Sequence, residues 1–235
     1  MTIFKVLGEN GQAFHGGSGK WSLPTADGPG EWMPVIEDEL VPCKNGYHLC
    51  RKQDLLQWLG PTLYEAEYRG EMVVADDKIV VREARLLRKL DTWNERTARL
   101  FACDCAERVV RLTNDERCVG AIAVARRYAN GEATSEELAA AWAAARNAAV
   151  AWAAARNAAG AVAWAAAWAA AETAAGAVAW AAAWAATGAA AGNAAWAAAG
   201  AAAGNAAWAA AWDAEQEWQT ARLMEYLQGD VGTTT

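Results

Sequence analysis

Residue types that commonly bind metal ions cluster at Cys43, His48 and Cys50 of this 235-residue chain. Zinc takes Cys and His ligands in tetrahedral sets of four, usually as pairs two to four residues apart. The spacing here departs from that pattern, and His15 would have to supply the fourth ligand from another strand. We therefore interpret the cluster as a structural turn with a packed His and buried thiols, expect no cofactor, and keep zinc as the alternative.

A second group of residues could bind an anion or a planar ring. Arg126 precedes a tract rich in Ala and Trp, whose first part contains Trp142, Arg146, Trp152 and Arg156. Guanidinium groups pair with anions, and both guanidinium groups and indole rings stack on planar molecules. We expect any binding surface of the helical region to lie at this start of the tract.

The chain lacks the groupings that catalysis requires: a nucleophile with its base, paired carboxylates, or a metal site. Both histidines lie in the N-terminal region, and the helical region has none. Asp104 and Glu107, beside Arg108 and Arg111, have the pattern of a solvated charged face. The sequence therefore predicts a protein without enzymatic activity.

Composition excludes several partners. The net charge of −7, with scattered Arg, disfavours nucleic acid. Residues 173–212 carry no charge but lack Leu, Ile and Phe, so we expect no membrane insertion. Five cysteines without a secretion signal indicate reduced thiols in a cytoplasm.

Hydrophobic alternation predicts a small α+β domain over residues 1–92, which would position the Cys and His cluster. The Asn45-Gly46 pair marks a tight turn inside that cluster. The predicted strands are 2–7, 12–15, 63–68, 72–74 and 78–81, with a loop over 16–31 and a helix over 52–59.

Residues 93–229 are predicted to form an all-α domain, followed by a disordered tail over 230–235. Amphipathic patterns place helices at 94–111, 117–130 and 213–227. Gly131 should end the second helix, and Thr134 with Glu137 has the spacing of a capping box.

The tract between Ala139 and Trp212 consists of tandem duplications with units of 10, 16 and 12 residues. Its four-residue spacing winds slowly around a helix, so one long helix would expose Trp on all sides. We expect breaks near Gly160, 188–192 and 200–204. These would give an antiparallel Ala/Trp-rich helical bundle whose Trp side chains fill the core.

Two family resemblances accompany these patterns. The run Val41-Pro42-Cys43-Lys44-Asn45-Gly46-Tyr47-His48-Leu49-Cys50, with the segments near residues 54–56, 64–68 and 77–80, resembles an uncharacterised phage- and prophage-associated domain. The order of Gly, aromatic residue and helix also resembles ADP-ribosyltransferase-like folds, but no Arg in the first strand and no suitably placed Glu supports catalysis. The resemblance to the phage-associated domain implies a phage context, and with it the cytoplasm of a bacterial host cell.

The second resemblance covers residues 95–227. The blocks Arg99–Arg108, Asn114–Arg117 and Ala125–Thr134, followed by an Ala/Trp run, resemble a family of bacterial immunity proteins with an Ala-rich helical tail. It implies a protein that neutralises or sequesters a toxin or host effector. The alternatives are sequestration of a small molecule such as a nucleotide signal, in an anti-defence role, and a structural role in homo-oligomers.

Overall fold

The computed structural model describes residues 2–17, 19–110, 116–155 and 205–231. The chain divides into two compact units, Met1–Trp93 and Asn94–Thr235. Its fold is α+β, because a four-stranded antiparallel sheet is followed by helices. The breaks expected within residues 156–204 lie outside the described residues.

The N-terminal unit contains strands β1 (Ile3–Leu7), β2 (Tyr47–Leu49), β3 (Thr62–Val74) and β4 (Ile79–Lys89), and one short helix, α1 (Leu55–Trp58). The strand order is β1-β3-β4-β2, and every pairing is antiparallel. Phe4 and Cys50 exchange two backbone hydrogen bonds of 2.8 Å, which connect β1 to the residue after β2. The sheet is therefore curved into a half-barrel.

The long hairpin β3–β4 differs from the predicted strands. Segments 63–68 and 72–74 form one strand with bulges, and β4 continues to Lys89 instead of ending at residue 81. The charged residues that obscured this pattern pair across the strands, as Glu65 with Arg88 and Arg69 with Glu83. The predicted strand 12–15 is wrong, because its residues form only isolated bridges, from Ala13 to Leu7 and from Gln12 to Lys20.

Both faces of the half-barrel contain buried residues, and one of them carries a large core cluster of the N-terminal unit. Ile3 and Leu7 of β1 are buried there, together with residues of the other three strands and Trp21. Alternate residues of a strand point to the same face. Lys5 therefore lies on the core-facing side between two buried aliphatic residues, and this position determines the site described below.

The C-terminal unit contains helices α2 (Glu95–Val110), α3 (Glu116–Ala129), α4 (Ser135–Ala155) and α5 (Asn205–Gln228). Helix α2 packs against α3 and α5, and α3 packs against α4. Gly131 has a φ of +76° after the end of α3. The predicted capping box is confirmed, since the Thr134 amide donates to Glu137 and the Glu137 amide donates to Thr134. Within the described residues, no helix is long and apolar enough to cross a membrane.

Asp104 of α2 connects three helices, which corrects its interpretation as part of a solvated face. The residue is buried, and its Oδ1 accepts a hydrogen bond of 2.8 Å from Arg126 of α3. Its Oδ2 accepts from Arg222 at 2.7 Å and from the Tyr226 hydroxyl at 2.8 Å, both on α5. The Asp104 carboxylate therefore compensates the charges of Arg126 and Arg222, which follow it in the chain. Glu107 stays half exposed.

Candidate ligand-binding cavity

The N-terminal unit contains a cavity of about 510 Å³ on the core side of the half-barrel. This volume lies within the usual range of small-molecule sites, and its opening to solvent would admit a ligand. The lining comprises basic, aromatic, thiol and small residues: Lys5, Val6, Ala13, Phe14, His15, Gly16, Gly17, Gly19, Trp21, Ile36, Cys43, Lys44, Asn45, Gly46, Tyr47, His48, Leu49, Cys50, Trp58 and Lys78.

Lys5 supplies an ammonium group to the wall of this cavity. Its Nζ donates a hydrogen bond of 2.9 Å to the backbone oxygen of His48 and lies 4.9 Å from the centre of the Trp21 ring. Burial of the ammonium lowers the pKa of Lys5 to about 8, from an ordinary value of 10.5. No carboxylate of the described residues forms an ion pair with Lys5. Its positive charge is therefore uncompensated.

Lys78 supplies a second ammonium group, which has a partner of its own. Its Nζ lies 3.0 Å from Asp77 and 4.1 Å from the centre of the Trp58 ring. The Trp58 indole in turn donates to the backbone oxygen of Asp77 at 2.8 Å. This arrangement fixes the Trp58 ring, and it leaves Lys78 largely neutralised. Lys44 adds a third, exposed lysine at the cavity.

Both histidines of the cavity are held as neutral rings. The Cys43 amide donates to His48 Nε2 at 2.8 Å, so Nε2 must be the unprotonated nitrogen. His15 Nε2 lies 2.9 Å from the Trp58 carbonyl oxygen, which can only accept, so this nitrogen carries the proton. Burial, followed for His48 by the nearby Lys5, lowers the pKa of each ring. The positive charge of the cavity at neutral pH therefore comes from lysines.

The sequence-predicted metal candidates Cys43, His48 and Cys50, with His15, all line this cavity. In the described residues, however, no group of three or more Cys, His, Asp or Glu is arranged to hold a metal ion. Nε2 of His48 is taken by an amide, and burial raises the pKa of the Cys50 thiol to about 12. The prediction of buried thiols holds for Cys50 and is wrong for Cys43, which is exposed at a φ of +64°.

The second predicted set is not gathered into a site by the described residues. Arg126 forms ion pairs with Asp104 at 2.8 Å and Glu107 at 2.7 Å, so carboxylates already occupy its guanidinium group. Trp142 is half-buried on α4. Arg146 and Trp152 lie on α4 beyond the described side chains, and Arg156 lies outside the described residues.

Sequence reasoning missed Lys5, Lys78 and the two Trp rings beside them. Three lysines line the cavity, and none of its described lining residues is acidic, in a chain whose net charge is −7. The available signal was Lys5 itself, because a charged residue at a core-facing strand position between Ile3 and Leu7 departs from the binary pattern. Lys78 and Trp58 carried no comparable signal, since their contact depends on the fold.

Searches of protein-family models, curated proteins and solved structures give no significant match for this chain.

Proposed function

We propose that this protein is a non-enzymatic binding protein that captures a small anionic molecule in the N-terminal cavity. The observation that carries this proposal is the uncompensated ammonium group of Lys5 on the core side of a sheet. Lys5 is half-buried, and a charge in such a position without a counter-charge is unfavourable for the fold, so it points to a ligand that supplies the missing charge. One ring nitrogen of each histidine is already engaged by the backbone, which favours a structural role of these rings in the cavity wall.

The lining also indicates what accompanies the anionic group. Trp21 and Tyr47 meet edge to face with ring centres 5.4 Å apart, and Trp58 forms a further aromatic wall beside Lys78. Rings held in this way offer contact area to a planar or apolar ligand part. The ligand class is therefore a small carboxylate or phosphate with a ring, which includes nucleotide signals, in a bacterial cytoplasm.

Calorimetry with a panel of aromatic carboxylates and phosphate esters tests this function. We expect at least one compound to bind, and Lys5→Met to remove that binding. Lys52→Met is the matched control, because Lys52 is exposed and lies outside the lining. A ligand that binds Lys5→Met as tightly as the unaltered chain would refute the assignment of the site.

Neutralisation of a protein partner is the second candidate function. It is supported by the immunity-family resemblance, whose blocks Arg99–Arg108 and Ala125–Thr134 fall on the packed helices α2 and α3 and the capping box of α4. In this proposal the Ala/Trp tract continues as an antiparallel bundle, and a toxin or host effector from a phage or prophage context binds the helical unit.

A pull-down from host lysate with the tagged chain should recover a stoichiometric partner. The third proposal is a structural homo-oligomer, and light scattering of the same preparation tests it by measuring the molar mass in solution. A monomer that retains no partner would exclude both of these proposals, while ligand binding in the N-terminal cavity would be unaffected.

A further inference from the structure

We propose that Lys5 captures carbonyl compounds covalently, as an imine, so that the ligands of the cavity include small aldehydes or ketones that carry an anionic group. This inference rests on the proposed function of the same cavity. It adds a reversible chemical step to binding and names the amine that performs it.

The position of Lys5 meets the requirements for imine formation. Its Nζ lines a cavity large enough for a ring-bearing ligand, and it has an uncharged acceptor, the His48 carbonyl oxygen, instead of a carboxylate. An ammonium group that is paired with a carboxylate is held protonated, whereas an amine desolvated in an apolar pocket becomes nucleophilic. Lys78 lacks this property, because Asp77 lies 3.0 Å from its Nζ.

The buried Cys50 thiol does not compete with Lys5 as a nucleophile, and the exposed Cys43 thiol gives no aldehyde adduct that borohydride reduction would retain. Burial keeps the Cys50 thiol protonated, since its pKa is raised to about 12. Lys44, which is exposed at the same cavity, provides positive charge for a phosphate or carboxylate on the ligand. The aromatic side chain of Trp21 lies beside Lys5 and offers a contact for a ring that bears the carbonyl group.

The step is balanced without an oxidant or a reductant. The neutral amine adds to the carbonyl carbon, forming a C–N bond while the carbonyl oxygen takes up a proton. The resulting carbinolamine loses its hydroxyl group as water and leaves a protonated imine on Lys5. Counted from the ammonium form, one ammonium and one carbonyl give one protonated imine and one water. Hydrolysis reverses the step and releases the ligand.

Pyridoxal 5′-phosphate is a suitable probe because it combines an aldehyde, an aromatic ring and a phosphate. The chain has six lysines, all between Lys5 and Lys89. After brief exposure to one equivalent and reduction with borohydride, peptide mapping should find the pyridoxyl group on Lys5. Mapping also separates Lys5 from the α-amino group of Met1. Label spread evenly over Lys20, Lys52 and Lys89, or absent from Lys5, would overturn the proposal.

Two comparisons separate failure of this step from failure of the proposed function. Pyridoxine 5′-phosphate has an alcohol in place of the aldehyde, so its binding reports the anion site alone. Lys5→Arg keeps the positive charge but forms no imine, and should bind pyridoxine 5′-phosphate without gaining a reducible adduct. Binding of the alcohol without labelling at Lys5 refutes the covalent step and leaves the anion site standing. If Lys5→Arg gains the same total yield of label on its remaining lysines, the specificity for Lys5 is refuted.

Discussion

Replacing Asp104 by Asn tests whether one buried carboxylate holds α2 against α3 and α5. The side chain keeps its shape, but one acceptor oxygen becomes an NH2 group that faces a donor. Arg126, Arg222 and Tyr226 all donate to this carboxylate. The substitution therefore removes a charge and leaves at least one of these donors without an acceptor.

The size of the effect follows from the exposure of the three donors. A hydrogen bond to a charged group contributes about 1.5–3 kcal/mol when it is buried. Tyr226 is 3% exposed, and its bond to a charged acceptor becomes at best a bond to a neutral one, whereas the Arg126 and Arg222 side chains are 33% and 28% exposed. Solvent screens these two pairs, and each contributes about 1 kcal/mol or less. We expect Asp104→Asn to destabilise the helical unit by about 2–4 kcal/mol.

Hydrogen exchange measured by mass spectrometry is the appropriate assay, because a chain with two units need not unfold in one step. Peptides from α2, α3 and α5 should lose protection together, and peptides from β3 and β4 serve as an internal reference. Glu107→Gln is the matched control, since Glu107 pairs with the same Arg126 but is 50% exposed and should cost less than about 1 kcal/mol. If both variants change protection equally, the carboxylate does not organise the three helices.

Three further outcomes concern the N-terminal unit. Because the pKa of Lys5 is about 8 in the folded chain and 10.5 ordinarily, the unfolded chain binds more protons at this group between these values, and the stability of the chain should rise with pH relative to that of Lys5→Met. Urea unfolding of both chains measures this difference, because the opposing contribution of the buried Cys50 thiol, whose pKa is raised to about 12, is common to both. Iodoacetamide should label Cys43 in the native protein and all five cysteines after unfolding, and a cavity ligand should slow the native reaction. Gly46→Ala should destabilise this unit by more than about 2 kcal/mol, since the added Cβ would lie 2.4 Å from the Val80 side chain. Gly16→Ala adds its Cβ in open space and should cost about 1 kcal/mol. Thermal unfolding measures both variants, and equal losses would contradict the steric argument.

The sequence predicted elements whose signals are local. Strand β1 follows from the apolar, β-branched and aromatic residues of 2–7, bounded by a turn signal, and α2 and α3 follow from amphipathic patterns with a glycine and a capping box at the expected places. Each of these signals involves residues only a few positions apart, so the local sequence is sufficient to predict the element. The Cys and His cluster likewise identified the wall of the cavity, although not what the cavity can bind.

Long-range pairing explains what the sequence did not reveal. Asp104 resembles its charged neighbours on α2, and its burial depends on Arg222 and Tyr226, which follow 118 and 122 residues later. The charged residues of β3 and β4 hid a long hairpin for the same reason, because Glu67 and Arg85 compensate each other only when the strands pair. A single-sequence pattern contains the charges but not their partners.

Lys5 places stability and binding in opposition within the N-terminal unit. Methionine has similar length without the charge, so Lys5→Met should raise the stability of the ligand-free chain while it removes anion binding. A structural lysine would behave in the opposite way, because loss of its hydrogen bond to the His48 carbonyl would lower stability. The sign of the stability change in the ligand-free chain therefore decides whether Lys5 serves the fold or a ligand, even before the ligand is identified.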